Sequence, residues 1–354
     1  MMQELEKVLK SIEPLDSEWL TRAQERLDLL AKPPGSLGKL EAIARRYGAI
    51  KKDLTPSTQR KMIVTFAGDH GVVVEGVSAF PQAVTVQMVR NMLEGGAAVN
   101  VLARHAGAEV TVVDIGVNYD FDSAEGVCIR KIGYGTRNFA LEPAMTRDEA
   151  LQALMTGIEL AKNMARDGYD MLGTGEMGIG NTTPSSALFA VMAGLHPREV
   201  TGRGTGVDDG ALKKKIAVIE KAIALNRPDP TDPLDVLAKV GGYEIAGIAG
   251  LIIGGAASRL PVVVDGFIST AGALIALALN AAINDYVFYS HLSAEAGHRR
   301  MLDYLHQEPI MNLDMRLGEG TGAAVAMTVI EAAISVMKEM ATFESAGVEG
   351  QHTT

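Results

Sequence analysis

The stretch G-T-G-E-M-G-I-G-N-T-T-P, Gly173 to Pro184, follows the short apolar run Tyr169–Leu172 and leads into a helix-compatible segment, Ser185–Ala193. Strand, glycine loop and helix N-terminus in succession aim backbone N–H groups at an anion. The stretch therefore predicts an α/β fold with an anion-binding loop at the end of a strand. Glu176 lies inside it, a carboxylate with no reason to stand beside a phosphate unless it has separate work.

Gly175, Gly180, Asn181 and Thr182 nearly complete a nucleotide-triphosphate loop, G-x-x-x-x-G-K-[ST]. Asn181 replaces the lysine that would reach the outer phosphates. The expectation is thus a site for one phosphate. A P-loop-like module that binds or hydrolyses a triphosphate is the alternative.

Outward from this loop the strand-helix alternation repeats. Lys61–Ala67, Val110–Ile115, Val127–Ile132, Leu260–Val264 and Tyr286–Tyr289 read as short apolar strands. Helical patterns lie at Val84–Leu93, Ala97–His105, Arg147–Asp167, Leu212–Leu225, Tyr243–Ala257, Phe267–Ile283, Ala294–Leu305 and Ala323–Met340. Pro228, Pro230 and Pro233 mark a connection, and a polar tail starts at Glu344. Alternation of this kind predicts a mainly parallel sheet flanked by helices. The strandless ends, residues 1–50 with 324–354, are expected to form a smaller helical domain beside a large α/β domain spanning 60–323.

Composition narrows the function. There are 38 glycines among 354 residues, against about 25 at average usage, which suits many tight strand-to-helix turns. A net charge of −10, with Lys213–Lys215 the longest cationic run, argues against a nucleic-acid surface. Cys128 is the only cysteine, which excludes an internal disulfide and a cysteine-rich zinc site. The apolar runs Ile245–Ala257 and Phe267–Ile283 fall short of the roughly 20 residues of a membrane span. The reading is a cytoplasmic protein with no membrane partner.

Asp69 and His70 end the first strand without metal-ligand spacing, and are read as satisfied polar groups. Val262–Ala273 resembles the ribose-phosphate loop of phosphoribosyltransferases that use a pyrophosphorylated sugar, although Gly266 follows Asp265 where a second acid is usual. Glu319 stands between two glycines before a helix. A helix N-terminus favours its ionised form by about 0.3–1 kcal/mol, which suits a base.

Six motifs occur in order: P-P-G-S-L-G-K-L-E at 33–41, G-D-H-G at 68–71, G-E-M-G-I-G-N-T-T-P at 175–184, D-G-F at 265–267, S-H-L-S-A-E at 290–295 and M-R-L-G-E-G-T-G-A at 315–323. Together they resemble the nicotinate-nucleotide–dimethylbenzimidazole phosphoribosyltransferases, from about residue 10 to 340. The resemblance implies transfer of phosphoribose from nicotinate mononucleotide to dimethylbenzimidazole, giving nicotinate and α-ribazole phosphate for the lower ligand of cobalamin. It also implies a Rossmann-like large domain, a small helical domain and a homodimer. No cofactor and no metal are expected, because the leaving group is not pyrophosphate.

Site residues follow from matching the motifs. Glu319 matches the family's catalytic glutamate and would be the base, with Glu176 a second carboxylate. Gly178, Gly180, Asn181, Gly202, Gly204 and Lys215 would hold the phosphate, and Asp265 is expected at the nucleotide. The acceptor base would meet Phe80, Gln87 or Met88, Met177, Ser293 and Leu317. Phe80 stands where the resemblance leads one to expect serine, which leaves a purine or another benzimidazole open as acceptor.

Overall fold

The structure is a computed structural model and describes residues 1–122, 125–204 and 206–349. Thr205, in the glycine-rich stretch T-G-R-G-T-G at 201–206 that carries Gly202 and Gly204, and residues 350–354, at the end of the expected small domain, lie outside the described residues.

Lys61–Gly68 (β1) is buried at every position, as a strand covered on both faces must be. Ala108–Gly116 (β2), Cys128–Ile129 (β3), Met171–Met177 (β4), Val262–Val264 (β5) and Val287–Tyr289 (β6) complete one sheet in the order β3-β2-β1-β4-β5-β6. All five pairings are parallel. The strand order reverses direction between β1 and β4. In such sheets the crevice outside the strand carboxyl ends at that point receives the ligand. Ala67 pairs with Met177, so Gly68-Asp69-His70 and the glycine stretch emerge side by side.

The glycine stretch itself differs from its sequence reading. Its strand does not stop at Leu172 but runs to Met177, and its helix begins at Thr182. The loop is only Gly178–Asn181, and Glu176 is a strand residue. Gly173 and Gly175 serve the helix Thr321–Glu339 and the turn before it. A Cβ on Gly173 would come within 2.9 Å of Met327 Cε, and one on Gly175 would overlap the Glu319 carbonyl oxygen. These are glycines of close backbone approach, not of a loop. With Gly175 inside the sheet, the near-match to a triphosphate loop has no matching geometry.

The other differences lie at element ends. The expected strand Val127–Ile132 shortens to β3. The Phe267 helix stops at Leu279, followed by a 3-10 turn at Ala281–Tyr286, and the helix expected from Ala294 starts at His298. Pro233 opens a helix, Pro233–Val240, capped by Asp232, where three prolines suggested only a connection. Proline suits the first helical position because its missing N–H would be unpaired there anyway. A short helical turn, Phe343–Ala346, sits in the expected polar tail.

Tyr243–Ala257 is buried almost throughout and crosses Arg147–Arg166 closely. A Cβ on Gly250 would collide with the Leu154 carbonyl oxygen. Thr321–Glu339, 19 residues, is long and apolar enough to cross a membrane by length and composition. About half of it is buried, against β4, β5 and the helices Lys39–Lys51 and Ala98–Ala106. The helix Ser17–Asp28, second in the chain after Met2–Lys10, joins this layer, with Arg26 donating to the carbonyls of Met337 and Met340.

Candidate active site

Above the carboxyl ends of β4, β5 and β6 lies a cavity of about 380 Å³. One wall is the glycine loop and the first turn of the Thr182–Ala193 helix. Ile179 turns its N–H inward to the Thr85 hydroxyl, 3.2 Å away, and Asn181 bonds back to the Gly178 carbonyl. The N–H groups of Gly180 and Thr182 donate to no other group among the described residues. They stand at the positive end of the helix, where an anion is favoured.

Behind this wall lies Lys215, whose Nζ donates to Thr182 Oγ1 at 2.6 Å. Burial lowers its pKa to about 8, against the pull of Glu295. Gly204 and Arg316 close the same end, the guanidinium reaching the Gly204 carbonyl at 3.5 Å. Gly202 does not face the cavity. It lies against Glu295, which leaves no room for a Cβ, and Glu295 also accepts from the Gly204 N–H. The second glycine turn is therefore held by a carboxylate, and sequence reading gave Glu295 no role. Burial raises the Glu295 pKa, with Lys215 opposing.

The acids converge from two elements. Glu176, at the end of β4, is buried and accepts from Asn181 Nδ2. Its Oε1 lies where a Cβ on Gly318 would be, so only glycine permits this approach. Burial raises the Glu176 pKa well above its ordinary value, and the Asp265 carboxylate adds to the rise. Glu319 has φ +66, the left-handed region, between Gly318 at +88 and Gly320 at +103. Its carbonyl accepts from Thr65 Oγ1 at 2.8 Å, and its Oε2 accepts from the Val99 N–H at 3.2 Å, in the first turn of Ala98–Ala106. The helix N-terminus that meets this carboxylate is thus not the one that follows it in sequence. Burial outweighs the Val99 bond, so the Glu319 pKa is raised and not lowered as the helix-start argument implied.

Asp265 lies behind both acids and outside the cavity lining. Its Oδ1 accepts from Gly322 and Ala323 N–H at 2.7 and 3.1 Å, and its Oδ2 from Gly320 N–H at 3.2 Å. The structure therefore makes it the cap of the Thr321 helix, with both oxygens engaged, where the sequence suggested a nucleotide contact. Burial pushes its pKa up to about 7, against those three bonds.

The remaining wall is apolar. Phe80, Val84 and Met88 share one face, the latter two four residues apart on the Ala83–Leu93 helix, and Met177 and Leu317 stand opposite. Gln87 is exposed and off the cavity, so Met88 is the inward residue of that pair. Ser293 lies at the far side, its N–H donating to His298 Nδ1 at 2.7 Å. That bond leaves Nε2 to carry the His298 proton towards Thr270 Oγ1, 3.0 Å away. Burial holds this imidazole neutral, its pKa down to about 3. His291 and Arg316 also line the cavity. Both were visible in the quoted motifs, but nothing in their spacing singled them out.

The family model described as a phosphoribosyltransferase matches residues 12–348. A nicotinate-nucleotide–dimethylbenzimidazole phosphoribosyltransferase from Citrifermentans bemidjiense is 61% identical, covering 98% of this chain and 99% of its own. One from Chlorobaculum tepidum is 54% identical, covering 99% and 100%. The solved structure of CobT from Thermus thermophilus superposes with a TM-score of 0.91 at 46% identity, covering 94% of this chain and all of that one. Fold, motifs and relatives agree over nearly the whole length, and the chain belongs to the family of nicotinate-nucleotide–dimethylbenzimidazole phosphoribosyltransferases.

Proposed function

We propose that this protein transfers the 5-phosphoribosyl group of nicotinate mononucleotide to dimethylbenzimidazole, releasing nicotinate and α-ribazole phosphate. The observation that carries this reading is one cavity joining an anion-binding helix start, two buried carboxylates with raised pKa and an apolar wall. The phosphate sits at the Gly180 and Thr182 N–H groups with Lys215 behind, and the acceptor ring lies against Phe80, Met88, Met177 and Leu317.

The chemistry needs little else. The bond from C1′ to the pyridinium nitrogen breaks, and its electron pair stays on nicotinate, which leaves without accepting a proton. One benzimidazole nitrogen attacks C1′ while the other gives its N–H proton to Glu319. A carboxylate whose pKa is raised towards the working pH makes a better proton acceptor than an ordinary one. Glu176, one strand end away, offsets positive charge growing on the ribose. The protein works as a cytoplasmic homodimer in this reading.

The test is direct. Purified protein with nicotinate mononucleotide and dimethylbenzimidazole should release nicotinate, read by chromatography. Absence of release with benzimidazole or purine acceptors would remove the proposal.

A further inference from the structure

Beneath the glycine loop is a group of ionisable side chains with no part in the reaction just described. His70 and Glu244 are wholly buried, with Nε2 and Oε1 2.9 Å apart. The contact lies off the line of a good hydrogen bond, and His70 Nδ1 and Glu244 Oε2 have no hydrogen-bond partner among the described residues. Such a pair is a poor source of stability, because desolvating both charges offsets most of their attraction, and an apolar pair of similar volume is often as stable. Its position gives it another use.

Three glycines wrap the pair. A Cβ on Gly178, the first loop residue, would lie 3.2 Å from His70 Nε2 and would overlap the Gly68 carbonyl oxygen. One on Gly242 would lie 2.6 Å from His70 Cε1, and one on Gly68 3.3 Å from Glu244 Oε2. The Nε2 corner of the ring, beside the Gly68 carbonyl, therefore lies under the first residue of the loop, while Cε1 abuts Gly242. That corner is fixed from below. Asp69 N–H donates to the Gly116 carbonyl, Thr136 N–H to the Asp69 carbonyl, and Gly71 N–H to the Thr136 carbonyl. The Asp69 carboxylate accepts from Asn118 N–H at 2.9 Å. From above, the next loop residue, Ile179, is pinned to Thr85. Asn181, two residues further on, holds Glu176.

We infer that His70 is a positioning residue, held by Glu244, whose Nε2 edge sets the height of the Gly178–Asn181 loop and so places the phosphate-binding N–H groups. It touches neither substrate nor reacting atoms. The inference rests on the proposed transferase reading for where the phosphate binds, and not on any second activity.

Two substitutions separate positioning from stability. Glutamine places its amide nitrogen near the position of imidazole Nε2, whereas asparagine reaches only as far as Nδ1. His70→Gln should keep KM for nicotinate mononucleotide within about threefold of the parent protein. His70→Asn should raise KM about tenfold or more while kcat changes far less. Calorimetric titration with nicotinate mononucleotide, and with inorganic phosphate, reads the loop without turnover and should show the same order. Thermal unfolding is measured alongside, and a third variant, Glu244→Gln, keeps the shape beside the ring and should behave like His70→Gln. Parent-like kinetics and binding in His70→Asn would overturn the inference, as would equal losses in both His70 variants that follow their loss of melting temperature. If the parent protein does not transfer phosphoribose at all, the transferase reading fails by itself, and the phosphate titration still ranks the two variants.

Discussion

Glu319 is a β-carbon-bearing residue in the left-handed region, a conformation that costs about 1–2 kcal/mol for such residues. The turn holds it there through Thr65 on its carbonyl, Val99 on its carboxylate and glycines on both sides. Strain kept in place by so many contacts points to use of the side chain. Glu319→Gln should lower kcat by about 10²–10⁴-fold, the usual worth of a general base, with nicotinate mononucleotide binding retained in calorimetry. Glu319→Gly should be equally inactive yet no less stable in thermal unfolding, since it removes the strained conformation. The pH dependence follows from the same groups. Glu319 acts only when ionised, and burial raises its pKa, so kcat/KM should fall on the acid side above the ordinary carboxylate range. Lys215 loses its charge as pH rises through about 8, so phosphate binding and kcat/KM should fall again beyond it. A kcat/KM that neither falls on the acid side nor declines as pH rises through about 8 would contradict both assignments.

At the scale of elements, the Thr321–Glu339 helix does two things: its start is held by Asp265, and the turn before it carries Glu319. Asp265→Ala leaves three N–H groups without their acceptor. It should cost about 1–3 kcal/mol in unfolding free energy and lower kcat as the Glu319 turn loosens. The Ala83–Leu93 helix sets the acceptor wall. Phe80, Val84 and Met88 offer no polar atom to the ring edge, so exocyclic amino or carbonyl groups of a purine would lose their water unpaired. Dimethylbenzimidazole should therefore outcompete adenine in kcat/KM. Phe80→Ser should narrow the preference for dimethylated over unsubstituted benzimidazole by about tenfold, the scale of one or two buried methyl groups. Legibility also differed by element. β1 was plain in Lys61–Ala67 because a doubly covered strand is an unbroken apolar run. β4 was cut short because Gly173 and Gly175 read as loop residues, when they make room for the helix and turn packed on the sheet. That partner lies some 150 residues away, and no local pattern could announce it.

Over the whole molecule, the reversal of strand order between β1 and β4 gathers groups from distant segments. Glu176, Lys215, Glu319 and the Phe80–Met88 face come together although about 240 residues separate the first and last of them in sequence. The motifs made the anion loop and both glutamates legible. Asp265 as a helix cap, Glu295 against the second glycine turn and the inward register of Met88 were not, because each depends on what packs behind it. The central claim is that this single cavity transfers phosphoribose between two nitrogen bases. It is tested by incubating the protein with nicotinate mononucleotide and dimethylbenzimidazole and resolving the products by chromatography. Equal amounts of nicotinate and α-ribazole phosphate are predicted, formed by Glu319→Gln about 10²–10⁴-fold more slowly. No nicotinate from the parent protein, or the same initial rate from the variant, would contradict it.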